Sequence, residues 1–130
     1  MIKKIVLSTF MFVILSSCSK SQGDFPKMDF EEKEYDFGTI NEGQKVHKDF
    51  IFTNSGKTDL TISNAQGSCG CTVGDYPKIA IKPNEKSVIK VTFNSQGKHG
   101  KQEKSVTLST NTENRLEIIK IFADVKENKK

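Results

Sequence analysis

Ser87-Val88-Ile89-Lys90-Val91-Thr92-Phe93 alternates without a break. Ile89, Val91 and Phe93 fall on one side and Val88, Lys90 and Thr92 on the other, the two-residue period of a half-buried β-strand. The same period recurs to either side, and no sustained 3.6-residue stripe follows Phe25. Going back toward the N-terminus, Tyr76-Pro77 and Lys82-Pro83-Asn84-Glu85 bracket Ile79-Ala80-Ile81, whose flanking prolines suit an edge strand or a crossover. Leu60 and Ile62 mark a strand, Asn54-Ser55-Gly56 a turn, and residues 45–53 a strand with Val46, Phe50 and Phe52 on one face. Lys48 interrupts that face and is expected near its wet end. Tyr35-Asp36-Phe37-Gly38-Thr39-Ile40 opens the domain, with Gly38 marking a bulge.

Going forward, Asn94-Ser95-Gln96-Gly97-Lys98-His99-Gly100-Lys101 is a glycine-bounded loop. Val106 and Leu108 lie on a strand that ends at Asn111. The last strand carries Leu116 and Ile118, then shifts its apolar parity to Ile119, Ile121, Ala123 and Val125, which predicts a bulge at Ile118-Ile119. The sum is about seven short antiparallel strands separated by turns, the pattern of an all-β β-sandwich. Phe50, Phe52, Ile89, Val91, Phe93, Val106 and Leu108 are its expected common core. Nine Phe against no Trp and two Tyr agree with a core of Phe and β-branched residues, and exclude the antibody-type Cys-Trp-Cys arrangement.

The first 17 residues are an address rather than part of the fold. Lys3 and Lys4 precede the apolar run of residues 5–15, too short for the roughly 20 helical residues that span a bilayer, so residues 1–17 are expected to be a signal peptide. Leu15-Ser16-Ser17-Cys18 resembles a bacterial lipobox. That resemblance implies that Cys18 becomes the lipidated first residue, held by several acyl chains where one would be marginal. Residues 18–29 then form a polar tether, residues 30–126 the sandwich, and residues 127–130 a basic tail. No aspartate follows Cys18 as an inner-membrane retention signal, and no acidic run suggests surface export. The expected location is the cell envelope, at the periplasmic face of the outer membrane.

Loss of Lys3 and Lys4 lowers the formal net charge from +4 to +2. The remaining cations are interleaved with Asp and Glu, so no nucleic-acid partner is expected. No phosphate loop, Gly-x-Ser-x-Gly or His-Glu-x-x-His occurs, and neither an enzyme nor a cofactor is expected.

Gly67-Ser68-Cys69-Gly70-Cys71-Thr72 holds the chemistry that remains. In extended chain the Cα atoms of residues i and i+2 lie about 6.6 Å apart, at the long end of what a disulfide bridges, and a left-handed Gly70 would bring the pair closer. An oxidising compartment favours a Cys69–Cys71 disulfide. Two thiolates would alternatively suit copper or zinc, though no spacing ties His47 or His99 to them. A catalytic thiol lacks a helix N-terminus to lower its pKa.

Several stretches together resemble the domain of unknown function 1573 family. They are Tyr35-Asp36-Phe37-Gly38-Thr39-Ile40, Phe50-Ile51-Phe52-Thr53-Asn54-Ser55-Gly56, Ser68-Cys69-Gly70-Cys71-Thr72, Tyr76-Pro77-Lys78 and Ile81-Lys82-Pro83-Asn84-Glu85. The likeness runs from about Phe30 to Val125 and implies an immunoglobulin-like fold, similar to cilia and major-sperm-protein domains, in an envelope protein of Bacteroidetes-type bacteria. Where the family has glycine after Pro83 this chain has Asn84, which tolerates the same left-handed turn. The resemblance implies no activity. The expected role is a lipid-anchored protein-interaction or structural module, with membrane contact through Cys18 and an envelope protein as partner. Tyr76 and Lys78, beside the cysteines, are the candidate contacts. The alternative is a thiol-redox or soft-metal protein acting through Cys69 and Cys71.

Overall fold

The computed structural model describes residues 23–129. Cys18, the expected signal peptide and the first part of the expected tether lie outside the described residues.

Eight strands form two four-stranded sheets. They are β1 (Met28–Phe30), β2 (Glu34–Asn41), β3 (Lys45–Asn54), β4 (Ile62–Gly67), β5 (Thr72–Asp75), β6 (Lys86–Asn94), β7 (Gly100–Thr110) and β8 (Leu116–Lys126). One sheet runs β1-β3-β6-β5 and the other β2-β8-β7-β4. The alternation of residues 87–93 becomes β6, the centre of the first sheet, with Phe50 of β3 opposite Ile89 and Thr72 of β5 opposite Phe93. Its inward residues meet those of β7 and β8. Phe50, Phe52, Ile89, Val91, Phe93, Val106 and Leu108 are all fully buried, joined by Leu60 and Ile119. The all-β immunoglobulin-like sandwich therefore stands.

The details depart from expectation in five places. There are eight strands rather than seven, and β2 pairs with β8 in parallel, a long-range pairing that leaves no local mark in sequence. β8 is continuous against β7, with Ile118 opposite Thr107 and Ile119 opposite Val106, so the expected bulge is absent. Leu116 and Ile118 simply face outward, 53% and 51% exposed. Leu60 and Ile62 do not share a strand, for Leu60 bridges to Ile81 and β4 starts at Ile62. Ile79 is exposed, and residues 76–85 link β5 to its neighbour β6 within one sheet without forming a strand of their own. Structure also begins before residue 30, since Pro26 is buried and Met28 lies in β1.

Other local readings hold. The register shifts between Asp36 and Thr39, and Gly38 there has φ +70°, a left-handed conformation that glycine adopts without steric cost. Asn84 takes φ 69°, as the Asn-for-Gly exchange requires. Lys48 shares a side with Val46 and Phe50, and its ammonium reaches Glu32 at 2.8 Å and sits 4.4 Å from the Tyr35 ring centre. The hydrogen-bonded Glu32 carboxylate holds the Lys48 pKa above its ordinary value, against a smaller desolvation effect.

Candidate functional site

β4 and β5 are the edge strands of their respective sheets and meet along one side of the sandwich. The six residues of the cysteine stretch connect them. Cys69 and Cys71 are joined by a disulfide with Cα atoms 5.2 Å apart. The bridge sits inside a β-turn closed by the Thr72 N–H donating to the Cys69 carbonyl at 3.2 Å. On its flanks, the Ser68 N–H donates to the Ser105 carbonyl at 2.8 Å, and the Asn94 N–H to the Cys71 carbonyl at 2.9 Å. The Ser68 hydroxyl accepts the Ser105 N–H at 3.1 Å. Both cysteines are half-buried, with Cys71 packed against the core. The Cys71 N–H donates to Cys69 Sγ at 3.3 Å, and Thr72 Oγ1 lies 3.8 Å from each sulfur.

The turn does not use the left-handed Gly70 that the sequence suggests. Gly70 has no positive φ, and a Cβ there would meet open space. The constrained glycine is Gly67, where a Cβ would strike the Thr72 carbonyl oxygen. Gly70→Ala is therefore expected to leave the disulfide intact and to raise stability by about 0.4–1 kcal/mol, through loss of unfolded-state freedom. Paired denaturant melts check this, and a clear loss would show that the turn needs glycine.

Tyr76 and Lys78 come together beside this edge. Tyr76 packs on the core and donates its hydroxyl to the Ser63 carbonyl at 3.0 Å, while the Lys78 ammonium lies 3.1 Å from the ring centre. The two residues thus bind this link to β4 as well as lining the edge. The histidines stand apart. His47 lies opposite Thr92, so β6 separates it from β5, and His99 Nδ1 lies 3.8 Å from Glu127. Among the described residues no group of three or more His, Cys, Asp or Glu could hold a metal ion, and disulfide-bonded sulfurs offer no thiolates to one.

Sequence reasoning missed β5 and the character of the edge. Residues 60–74 form a run of fifteen without a charged side chain, in a chain that is 28% charged. The run covers all of β4, the disulfide turn and most of β5. Edge strands are ordinarily shielded by charge, shortness, proline or bulges. The opposite edges follow that rule: β1 is three residues long with Lys27, Asp29 and Glu31 around it, and β2 carries Glu34, Asp36 and the Gly38 bulge. At the β4–β5 edge Val73 is 60% exposed instead. Antiparallel alternation, fixed by the bond from Asn94 to Cys71, directs the Gly74 backbone N–H and C=O away from β6 toward the open side.

Two four-stranded sheets in this order make the chain an immunoglobulin-like sandwich, and solved structures share the shape. A protein of unknown function from Porphyromonas gingivalis W83 is similar at 16% identity and TM-score 0.67, over 76% of this chain and 46% of its own. This chain thus spans about half of that protein. The ASH/PapD-like domain 7 of human CEP192 is similar at 11% identity and TM-score 0.64, over 85% of this chain and 93% of its own. The CsuC–CsuE chaperone–tip adhesion subunit pre-assembly complex of Acinetobacter baumannii contains a similar chain at 15% identity and TM-score 0.56, over 77% of this chain and 52% of its own. No curated protein matches. Residues 28–125 match the family described as protein of unknown function (DUF1573), and the chain belongs to that family.

Proposed function

We propose that this is a lipid-anchored envelope protein whose sandwich is a protein-interaction module without catalysis, and that the β4–β5 edge receives the partner. The observation that carries it is the uncharged edge itself. Backbone groups and Val73 lie open there, without the charges that would repel an added strand. A sandwich of this shape also occurs in the chaperone–tip adhesion subunit complex.

The anchor gives the edge a direction. The chain from residue 23 docks at the end of the sandwich where β3 finishes, with Ser55 N–H donating to the Lys27 carbonyl at 3.0 Å. The disulfide lies toward the end where β3 starts, since Cys71 bonds Asn94, the partner of Lys45. The ten residues of β3 put roughly 30 Å between these ends. Cys18 precedes Gly23 by five residues, a reach of at most about 18 Å. An acylated Cys18 would hold the first end at the bilayer and turn the cysteine edge outward into the periplasm.

A photoreactive side chain at Val73 is expected to trap a discrete envelope protein in intact cells, whereas the same group at Glu34 on the opposite edge traps none. Equal labelling from both positions, or none from either, would refute the edge assignment. Intact-mass analysis should find acylated Cys18 as the mature N-terminus, and Cys18→Ala should abolish processing after Ser17. Any other mature N-terminus removes the anchor.

A further inference from the structure

The Cys69–Cys71 bridge spans one intervening residue. On the chain-entropy account a disulfide stabilises according to the loop it closes, so this one contributes little to the fold. The local backbone is fixed without it. The bonds from Ser68 to Ser105, Asn94 to Cys71 and Thr72 to Cys69 are all main-chain bonds, and none of them uses a sulfur. The cysteines are half-buried, within the uncharged run that ends just before Asp75. The Cys71 N–H points at Cys69 Sγ at 3.3 Å, with the Thr72 hydroxyl 3.8 Å away. Donors aimed at a sulfur favour its thiolate, and a more stable thiolate leaves faster in exchange.

We infer that Cys69–Cys71 is a thiol–disulfide exchange site that oxidises paired thiols in an extended, uncharged polypeptide segment lying along β5. This deepens the interaction reading, because it rests on the same edge and names what the partner brings to it. In the first step a thiolate of the segment attacks Cys71 Sγ. A bond forms between these sulfurs, the Cys69–Cys71 bond breaks, and its electron pair goes to Cys69 Sγ, at which the Cys71 N–H points. In the second step the segment's other thiolate attacks its own sulfur in the mixed disulfide. The segment leaves as a disulfide, oxidised by two electrons, and Cys69 and Cys71 remain reduced. The two protons released by the segment's thiols balance those taken up by Cys69 and Cys71.

The test uses the purified mature chain with two probes: reduced glutathione, and a short uncharged peptide holding two cysteines. Alkylation followed by mass spectrometry reads the redox state, and circular dichroism reads the fold. The chain is expected to oxidise one equivalent of reduced peptide while staying folded, and Cys69→Ser, which has no bridge to give up, should oxidise none. Val73→Lys, which alters an outward side chain, should lower the rate with the peptide about tenfold relative to the rate with glutathione. A disulfide that stays closed to both thiols in the folded chain overturns the inference, and the Val73 cross-link can still stand in that case. A ratio of the two rates unaffected by Val73→Lys overturns the assignment of the substrate to β5.

Discussion

Phe93→Ala is expected to lower the unfolding free energy by about 3–5 kcal/mol, and Phe50→Ala by a similar amount. Phe93 lies in β6 between Val46 of β3 and Thr72 of β5, and is fully buried. Truncation removes most of a large apolar side chain from a densely packed interior and leaves a cavity that paired strands on both sides keep from closing. Domains of this size are stable by about 5–15 kcal/mol in all, so either variant forfeits a large share. Urea melts at constant slope measure the loss. Val88→Ala, on the outward face of the same strand and 39% exposed, is the control and should stay within about 1 kcal/mol. Near-zero losses for both Phe variants would mean that the inward face of β6 is misassigned.

The central strands were legible because each keeps strict alternation over many residues. Apart from Lys48 and Asn54 in β3, β3 and β6 place Phe or β-branched residues inward at alternate positions, and the solvent side is polar enough to make the contrast plain. β8 misled because Leu116 and Ile118 are apolar on the outward face, so composition mimicked a change of parity that the backbone does not make. β1 and β5 were missed for another reason. They have three and four residues, too few for a period to show. In β5 the inward positions are Thr72 and Gly74, and a Cβ on Gly74 would meet Val106 Cγ1 at 2.8 Å. Its place in the core is legible only from the opposing sheet.

The site divides in the same way. Nearness of Cys69 and Cys71 follows from their spacing, and the expectation of a bridge added the oxidising compartment that the N-terminal residues suggest. The role given to Gly70 did not follow, because the constraint lies in a contact between Gly67 and Thr72 across the turn. The uncharged run was present in sequence throughout. It gained meaning only when the topology placed both of its strands at sheet edges, since the same run inside a sheet would be ordinary core.

Asn54→Ala is expected to cost about 2–4 kcal/mol although it removes almost no apolar surface. Asn54 is fully buried at the end of β3. Its Nδ2 donates to the carbonyls of Thr58 and Ile81, both at 2.9 Å. Its Oδ1 accepts the N–H groups of Lys27 at 3.3 Å and Gly56 at 3.1 Å. One amide thus joins the N-terminal segment, the turn after β3 and the link ahead of β6. Alanine leaves two donors and two acceptors without these partners, and at buried positions unsatisfied polar groups cost more than the net value of the lost bonds. Asn54→Asp should be worse at neutral pH, because a carboxylate would face the two carbonyls that Nδ2 now serves. Its folded-state pKa would be raised above the unfolded value of about 3.9. The extra penalty is therefore smallest below that unfolded pKa and grows as pH rises through the folded pKa. Melts of wild type, Asn54→Ala and Asn54→Asp from acid to neutral pH measure this. A flat difference between Asp and wild type, or a loss under about 1 kcal/mol for Ala, would show that the three segments are held by something other than this side chain.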